Sequence, residues 1–470
     1  MFTFYGNPFR HCDGVSRRSF LKAGALGVGG LTLADVLQLE AEAGIRSSHK
    51  AVINIHLDGG PPQMDMIDPK PNAPVEIRGE FKSLRTKIPG IHLTELMPKL
   101  AANADQFAFI RSLVGGVGRH DAFQCQSGFD GKELAGIGGH PAMGCAVTRL
   151  LARPTDSAPA FVDLMQGRPL VRNSARPGFL GPAYTPFRPD LSHLFKRGLE
   201  PGMQTELARL GANHTMELNL VEGITAGRLE NRVELLRNID RIRREADESG
   251  SMEALDKFTQ QAVGILTSGK FAAAMDLAKE DPRVVDKFTP AMRGPNEAHY
   301  TTEGPNSIQK FLLARRLIEA GVRCVSVSIS DFDTHTANFD RMRYLGPLVD
   351  HGLHALVADL RERGMLDDVM IVAWGEFGRS PKVNSKAGRD HWPRVGMVIM
   401  AGGGMRTGQV IGSTDRTASE ATSRPVEYQD VIATLYHHLG IDGRNTTVED
   451  TTGRPQYLVT SGQPIRELIG

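Results

Sequence analysis

The chain has 470 residues, enough for a large apolar core and one or two domains, and its basic and acidic side chains nearly cancel to a formal charge of +1. That balance argues against a nucleic-acid binder held by a broad basic face. Only Cys12, Cys125, Cys145 and Cys324 occur, with no CxxC pair, which argues against a dense disulfide framework.

The N-terminus reads as an export signal. Ser16-Arg17-Arg18-Ser19-Phe20-Leu21-Lys22 is a twin-arginine pattern, residues 23–39 are mildly apolar and rich in Gly and Ala, and Ala41-Glu42-Ala43 has the small-x-small form of a cleavage site. The stretch is too short and too glycine-rich for a comfortable membrane span. A signal over residues 1–43 is expected, with the mature chain starting near Gly44 and carried, already folded, to the periplasm or beyond. The bland alternative is an N-terminal helix with a chance arginine pair. Cleavage removes Cys12 and leaves three cysteines, so at least one is unpaired within the chain. Cys324, inside the strand-like VRCVSVSIS, reads as a core residue.

Residues 50–57 read as the first strand, broken at once by Gly59-Gly60-Pro61-Pro62 and leaving Asp58 at its end. Residues 69–92 are mostly loop. Residues 93–103 have helical spacing, with Thr94 as N-cap. Residues 107–113 form a second strand, and Gly115-Gly116-Val117-Gly118-Arg119-His120-Asp121 is a glycine-rich turn that opens a helix running toward Gly128. A short strand is expected at 160–165. From about 200 to 300, leucines and isoleucines recur at helical spacing among Arg and Glu, which reads as a helical insertion with solvated faces. A helix at 307–320 leads into a strand ending near Ser330. A helix at 345–363 feeds a strand at 369–373. A strand at 395–400 and a helix at 431–439 follow. Amphipathic helices alternating with β-branched strands predict an α/β fold with a mainly parallel central sheet.

In such sheets ligands bind beyond the carboxyl ends of the strands, where this chain places its acids and histidines. Asp58 follows the first strand. Asp331, Asp333 and His335 follow VSVSIS. Glu376 follows VMIVAWG, and Asp390 and His391 lie in GRDHWP. Carboxylates with imidazoles suit zinc, manganese or iron. Asp333 is a ligand or an orienter of His335, or a carboxylate that caps the loop, and Asp390 an orienter of His391 or a ligand itself. Glu376 pairs with Arg379 or binds metal; in the second case Arg379 faces an anionic substrate. His120, at a helix start beside Arg119, sits where a phosphate or sulfate would bind, or is simply part of a structural helix start.

The segments LDGGPPQMDMIDPKP, DFDTHTANF, WGEFGRSPKVN, GRDHWP and PVEYQDVIATLYHHLGID resemble the DUF1501 family of twin-arginine-exported bacterial proteins, often labelled sulfatase-like. More distantly the chain is similar to the alkaline phosphatase superfamily. The resemblance implies an alkaline-phosphatase-like α/β sandwich, with Asp58, Asp331, His335 and His391 matching metal ligands. Glu376 and Phe377 stand where an Asp-His pair is usual, so one histidine ligand is missing. Gly118-Arg119-His120-Asp121 stands where the superfamily keeps its Ser, Thr or modified Cys nucleophile; Ser112 is nearby, and no Cys/Ser-x-Pro-x-Arg occurs.

Together these readings give two expectations. The first is an exported hydrolase of a phosphate or sulfate ester, using one or two divalent ions (zinc, manganese or calcium) and attacking with water instead of a covalent nucleophile. Its metal residues are Asp58, Asp331, Asp333, His335, Glu376, Asp390 and His391, with His120, Arg119 and His391 in catalysis. The second is a non-catalytic exported protein of the same fold that binds a polyanionic glycan or a protein partner. Partners are small anionic esters or sulfated or phosphorylated glycans in the first case. No nucleic acid and no membrane span after signal cleavage are expected.

Overall fold

A computed structural model describes residues 50–153, 156–189, 191, 269–294, 301 and 303–469. The signal expected at 1–43, the mature start near Gly44 and most of the helical insertion at 200–300 lie outside the described residues. The end of that insertion carries two short helices, Lys270–Met275 and Pro282–Lys287.

The sheet is built from β1 (Ala51–Leu57), β2 (Phe107–Val114), β3 (Phe161–Asp163), β4 (Cys324–Ile329), β5 (Val369–Trp374), β6 (Gly396–Gly402), β7 (Gln409–Ile411) and β8 (Val426–Glu427). Its order is β7-β2-β6-β5-β1-β4-β3, with β8 also on β2. β1 pairs in parallel with β4 and β5, β3 with β4, and β7 and β8 with β2. β6 is antiparallel to both β5 and β2, so it alone runs against the rest. This mixed, mostly parallel sheet flanked by helices is consistent with an alkaline-phosphatase-like α/β sandwich.

Central parallel strands are covered on both faces, which is why β1 reads as a nearly continuous apolar run. One face carries Ile53, Ile55 and Leu57 against α2 (Gln309–Glu319) and α3 (Asn338–Glu362). The other carries Val52, Val372 and Trp374 in a core shared with α1 (Met143–Leu151) and α4 (Tyr428–His438). No helix among the described residues is long and apolar enough to cross a membrane.

Three local expectations change. The helix expected at 93–103 is a strand, His92–Thr94, followed by the helix Pro98–Ala102. Proline is well placed in that first turn because it has no N–H to leave unpaired. Thr94 is not the cap: its hydroxyl donates to Asp65 O, and the Asp350 carboxylate accepts from the N–H groups of Lys99 and Leu100 instead. The helix expected from the glycine-rich turn is reduced to Gln124–Ser127, and residues 119–121 form a turn, so His120 does not sit on a helix N-terminus. Finally, α3 begins at Asn338 and carries Pro347 inside it.

Candidate metal centre

The carboxyl ends of β1, β2, β4 and β5 lie along one edge of the sheet. Because β6 runs backwards, its start lies at that same edge, and His391 just precedes it. The loops touch closely. Asp58 N donates to Ile329 O and Phe332 N donates to Asp58 O, which extends the β1–β4 pairing past the strands. Gly59 has φ +105°, and a Cβ there would lie 2.3 Å from Asp333 N, so only glycine lets these two loops pass.

The deeper of two groups joins His56, Asp58 and Glu376, whose side chains are 0 %, 3 % and 0 % exposed. Alternation along β1 turns His56 and Asp58 to the same face of the strand. His56 Nε2 lies 3.5 Å from Asp58 Oδ1 and 3.5 Å from Glu376 Oε2. At 3.5 Å Nε2 stands at the outer limit of a hydrogen bond to either carboxylate, and His56 Nδ1 has no partner. Asn173 Nδ2 donates to Asp58 Oδ1, and Gly59 N donates to Glu376 Oε1.

The outer group joins His120, Asp333 and His391, with side chains 16 %, 23 % and 23 % exposed. Within each trio, one ligand atom from every residue lies within 4.8 Å of the others. Asp333 is the hub. His120 Nε2 reaches its Oδ2 at 3.1 Å; His335 Nε2 and His391 Nε2 reach its Oδ1 at 3.1 and 3.3 Å. The opposite nitrogen of each ring is also held. His120 Nδ1 lies 2.9 Å from Glu376 Oε1, His335 Nδ1 2.8 Å from Asp390 Oδ1, and His391 Nδ1 3.0 Å from Gly118 O. Phe377 packs against the His391 ring at 4.3 Å and the His120 ring at 5.4 Å.

Arg379 is fully buried behind the hub. Its Nη2 lies 2.6 Å from Asp333 Oδ1, and the guanidinium also donates to the carbonyls of Gly59, Gly60 and Arg389. One planar fork thus ties together the loops after β1, β4 and β5 and the segment before β6. The electrostatics follow from crowding. For His120, burial alone favours the neutral ring, but hydrogen bonds to Asp333 and Glu376 and their charges outweigh it and raise its pKa to about 9. For Asp333, burial favours the acid, but bonds from His120 and His391 and the Arg379 charge hold it far below the usual carboxylate range. Burial also opposes ionisation of Asp58, yet its surroundings, His56 first among them, lower its pKa.

The residues read from the sequence therefore divide. Asp58 and Glu376 lie in the deep group; His120, Asp333 and His391 form the outer one, with His335 and Asp390 at its mouth. Asp331 is in neither: its backbone takes φ 75°, and its carboxylate accepts from Thr301 Oγ1. Arg119 does not face the cluster with a free guanidinium; it pairs with Asp121 at 2.7 Å and with Asp130. Arg379 pairs with Asp333, not with Glu376, and being fully buried it does not face a substrate. Ser112 is buried with its hydroxyl donating to Arg424 O. The remaining cysteines, Cys125, Cys145 and Cys324, are buried and unpaired. His56 and Asn173 were not read from the sequence. The signal for His56 is an imidazole on a strand whose every residue is buried.

These carboxylates and imidazoles fit a divalent cation. Histidine ligands characteristically donate their far N–H to a carboxylate or carbonyl, as His120, His335 and His391 are placed to do. Four carboxylates (Asp58, Asp333, Glu376 and Asp390) gather here around a single guanidinium, that of Arg379, which pairs with Asp333.

A family model described as "Protein of unknown function (DUF1501)" matches residues 49–469. No curated protein matches the chain. Among solved structures, the PsFucS1 sulfatase from Pseudoalteromonas sp. is 12 % identical, over 87 % of this chain and 70 % of its own, with a TM-score of 0.38. The lipoteichoic acid synthase LtaP from Listeria monocytogenes is 10 % identical over 89 % and 76 %, TM-score 0.36. The phosphonate monoester hydrolase SpPMH from Silicibacter pomeroyi is 12 % identical over 89 % and 76 %, TM-score 0.36. Likenesses this distant carry nothing about chemistry.

Proposed function

The chain belongs to the DUF1501 family, and within it we propose an exported, metal-dependent hydrolase of a phosphate or sulfate ester. The observation that carries this reading is the convergence of three Nε2 atoms on Asp333 while each Nδ1 is held from behind. Asp333, His120 and His391 would hold the ion, and their imidazoles favour zinc or manganese over calcium. Such an ion polarises an ester oxygen and lowers the pKa of water.

The chain's own residues supply the rest. Arg379 fixes Asp333, and Phe377 fixes the rings of His120 and His391. His335 is 45 % exposed, with Nδ1 on Asp390, so its Nε2 can pass a proton to a leaving oxygen. His120, read from the sequence as a proton carrier, is better placed as a ligand, and of the two roles read for His391 the ligand's fits its place better. Ser112 is no nucleophile in this geometry, so water attacks directly.

Purified protein should therefore turn over chromogenic phosphate or sulfate esters with added zinc or manganese. A chiral phosphate ester should invert; retention, or a trapped covalent adduct, would exclude direct attack. No turnover at any divalent ion would leave the glycan- or partner-binding alternative.

Export rests on Arg17-Arg18, the apolar stretch and Ala41-Glu42-Ala43. Replacing both arginines with lysine should leave the precursor in the cytoplasm. Normal appearance of that variant in the periplasm would contradict twin-arginine export.

A further inference from the structure

We infer that, with an ion taken up by the outer group as its premise, Asp331 positions that group without being one of its ligands, and that Thr301 and Glu303 hold Asp331 in this role. Ester turnover is not required for it.

In an extended chain, side chains two residues apart share a face. Asp331 and Asp333 come just after β4, so continued extension would turn both carboxylates the same way. They part because Asp331 takes φ 75°. A residue with a Cβ enters that region rarely; aspartate and asparagine do so more readily, since their short polar side chains bond locally. The bend breaks the alternation. Asp331 meets Thr301, while Asp333 meets His120, His335 and His391.

Such a bend persists only where its surroundings hold it. Glu303 is buried, and its Oε1 accepts from both N and Oγ of Ser330, the residue before the bend, at 3.0 and 2.8 Å. Lys310, buried on α2, fixes Glu303 in turn. Its Nζ lies 3.3 Å from Glu303 Oε2 and donates to Ser328 O at 2.6 Å. Thr301 Oγ1 accepts from Glu303 N at 3.1 Å and donates to Asp331 Oδ2 at 2.8 Å. One hydroxyl thus ties the bend to the segment that Lys310 anchors. On the other side Arg341, near the start of α3, donates to Asp331 O and Asp333 O at 3.1 and 2.8 Å.

Asp333 therefore reaches the three imidazoles from the far end of a bend that Thr301 and Glu303 hold. Cutting the Thr301 bond lets residue 331 relax toward extended backbone, which turns Asp333 away from the Nε2 atoms it joins. The resemblance that matches Asp331 to a metal ligand predicts the reverse: loss of the site once the Asp331 charge is removed.

Zinc titration calorimetry on the full chain separates the two, reading the site that His391→Ala removes. Thr301→Val keeps the side chain's shape without its hydroxyl and should weaken zinc about tenfold, the loss usual for a group that orients a ligand. Thr301→Ser returns the hydroxyl and should return the affinity. Asp331→Asn keeps an acceptor and tolerates this φ, so it should bind zinc within about threefold of the native protein, whereas Asp331→Ala keeps neither and should lose at least as much as Thr301→Val. The double variant of Thr301→Val with Asp331→Ala should be no weaker than Asp331→Ala alone, because both changes break one bond. Native-like affinity in Thr301→Val would overturn the inference and leave the metal reading intact. So would loss of the site in Asp331→Asn, which marks a ligand. Should Thr301→Val not fold, the asparagine and alanine variants at 331 make the same comparison. A native protein that takes up no zinc at this site would remove the metal reading and this role together.

Discussion

Asp333→Ala should abolish uptake of an ion by the outer group and lower the unfolding free energy by about 3 kcal/mol in the metal-free protein. Both effects come from one atom pair. Asp333 Oδ1 meets Arg379 Nη2 at 2.6 Å, and Arg379 is fully buried. Removing the carboxylate leaves a buried cation facing carbonyl oxygens alone. The loss falls at the low end of what broken buried pairs cost, because Gly59, Gly60 and Arg389 still accept from the guanidinium and Asp333 is itself partly exposed. Adding Arg379→Met should restore much of the stability, since it removes the orphaned charge, but none of the metal binding. Denaturant unfolding and zinc titration calorimetry read the two effects separately. If the double variant regained zinc, Asp333 would be a structural partner of Arg379 and not a ligand.

Zinc affinity at the outer site should rise by about tenfold per pH unit between pH 6.5 and about 9, and then level off. The cause is His120. Its pKa in the metal-free protein is raised to about 9 from an ordinary 6.5, so the folded chain binds this proton more tightly than the unfolded chain does. That stabilisation is fully present below pH 6.5 and is lost as pH climbs through about 9. Asp333 works in the opposite direction. Its lowered pKa contributes stability above the ordinary 3.8 that is lost only as pH falls well below it. The metal-free protein should thus be most stable from about pH 4 to 6.5 and weaken toward pH 9. Zinc must displace the His120 proton, so its rising affinity offsets that loss and the loaded protein should hold its stability over the range where the metal-free one loses it. Proton release on zinc addition, measured in two buffers of different ionisation heat, checks the mechanism. A zinc affinity that stays flat across this range would remove His120 from the ligand set.

Much of the centre was legible because a parallel sheet makes a sequence feature into a spatial one. A buried apolar run followed by Asp, Glu or His places that side chain at the carboxyl edge wherever the strand falls in the order. Asp58, Asp333, His335 and Glu376 all follow this rule. His391 reaches the same edge by the opposite route: it precedes β6, which is antiparallel, so its loop arrives where the others leave. His120 was legible as a site residue, but its setting was not. The glycines before it make a turn, and the helix starts only at Gln124.

The residues that lie apart from their expected places do so for local reasons. Asp331 and Asp333 are equivalent carboxylates in DFDTH, and which one faces the imidazoles depends on a backbone turn. Asp331 adopts φ 75° and meets Thr301, which leaves Asp333 at the hub. Arg119 could have faced the cluster, but Asp121 and Asp130 are nearer. His56 is the clearest omission. Inside AVINIHL it looks like one more covered strand position, and nothing local tells that Glu376, from a distant segment, faces it beside Asp58.

By itself, then, the sequence determined the α/β class, the run of central strands and the supply of carboxylates and imidazoles at their ends, because hydrophobic period and strand punctuation are local properties. The tertiary structure decided how those groups are shared out. The reversal of β6 brought His391 to the edge, and the Arg379 fork selected Asp333 as the hub. The pairing of β1 with β5 set Glu376 beside His56, which separates one exposed group of donors from one that water does not reach. These are long-range contacts between segments up to 320 residues apart, from Gly59 to Arg379. Only packing fixes which nitrogen meets which oxygen at such separations, and with it the charge each group carries.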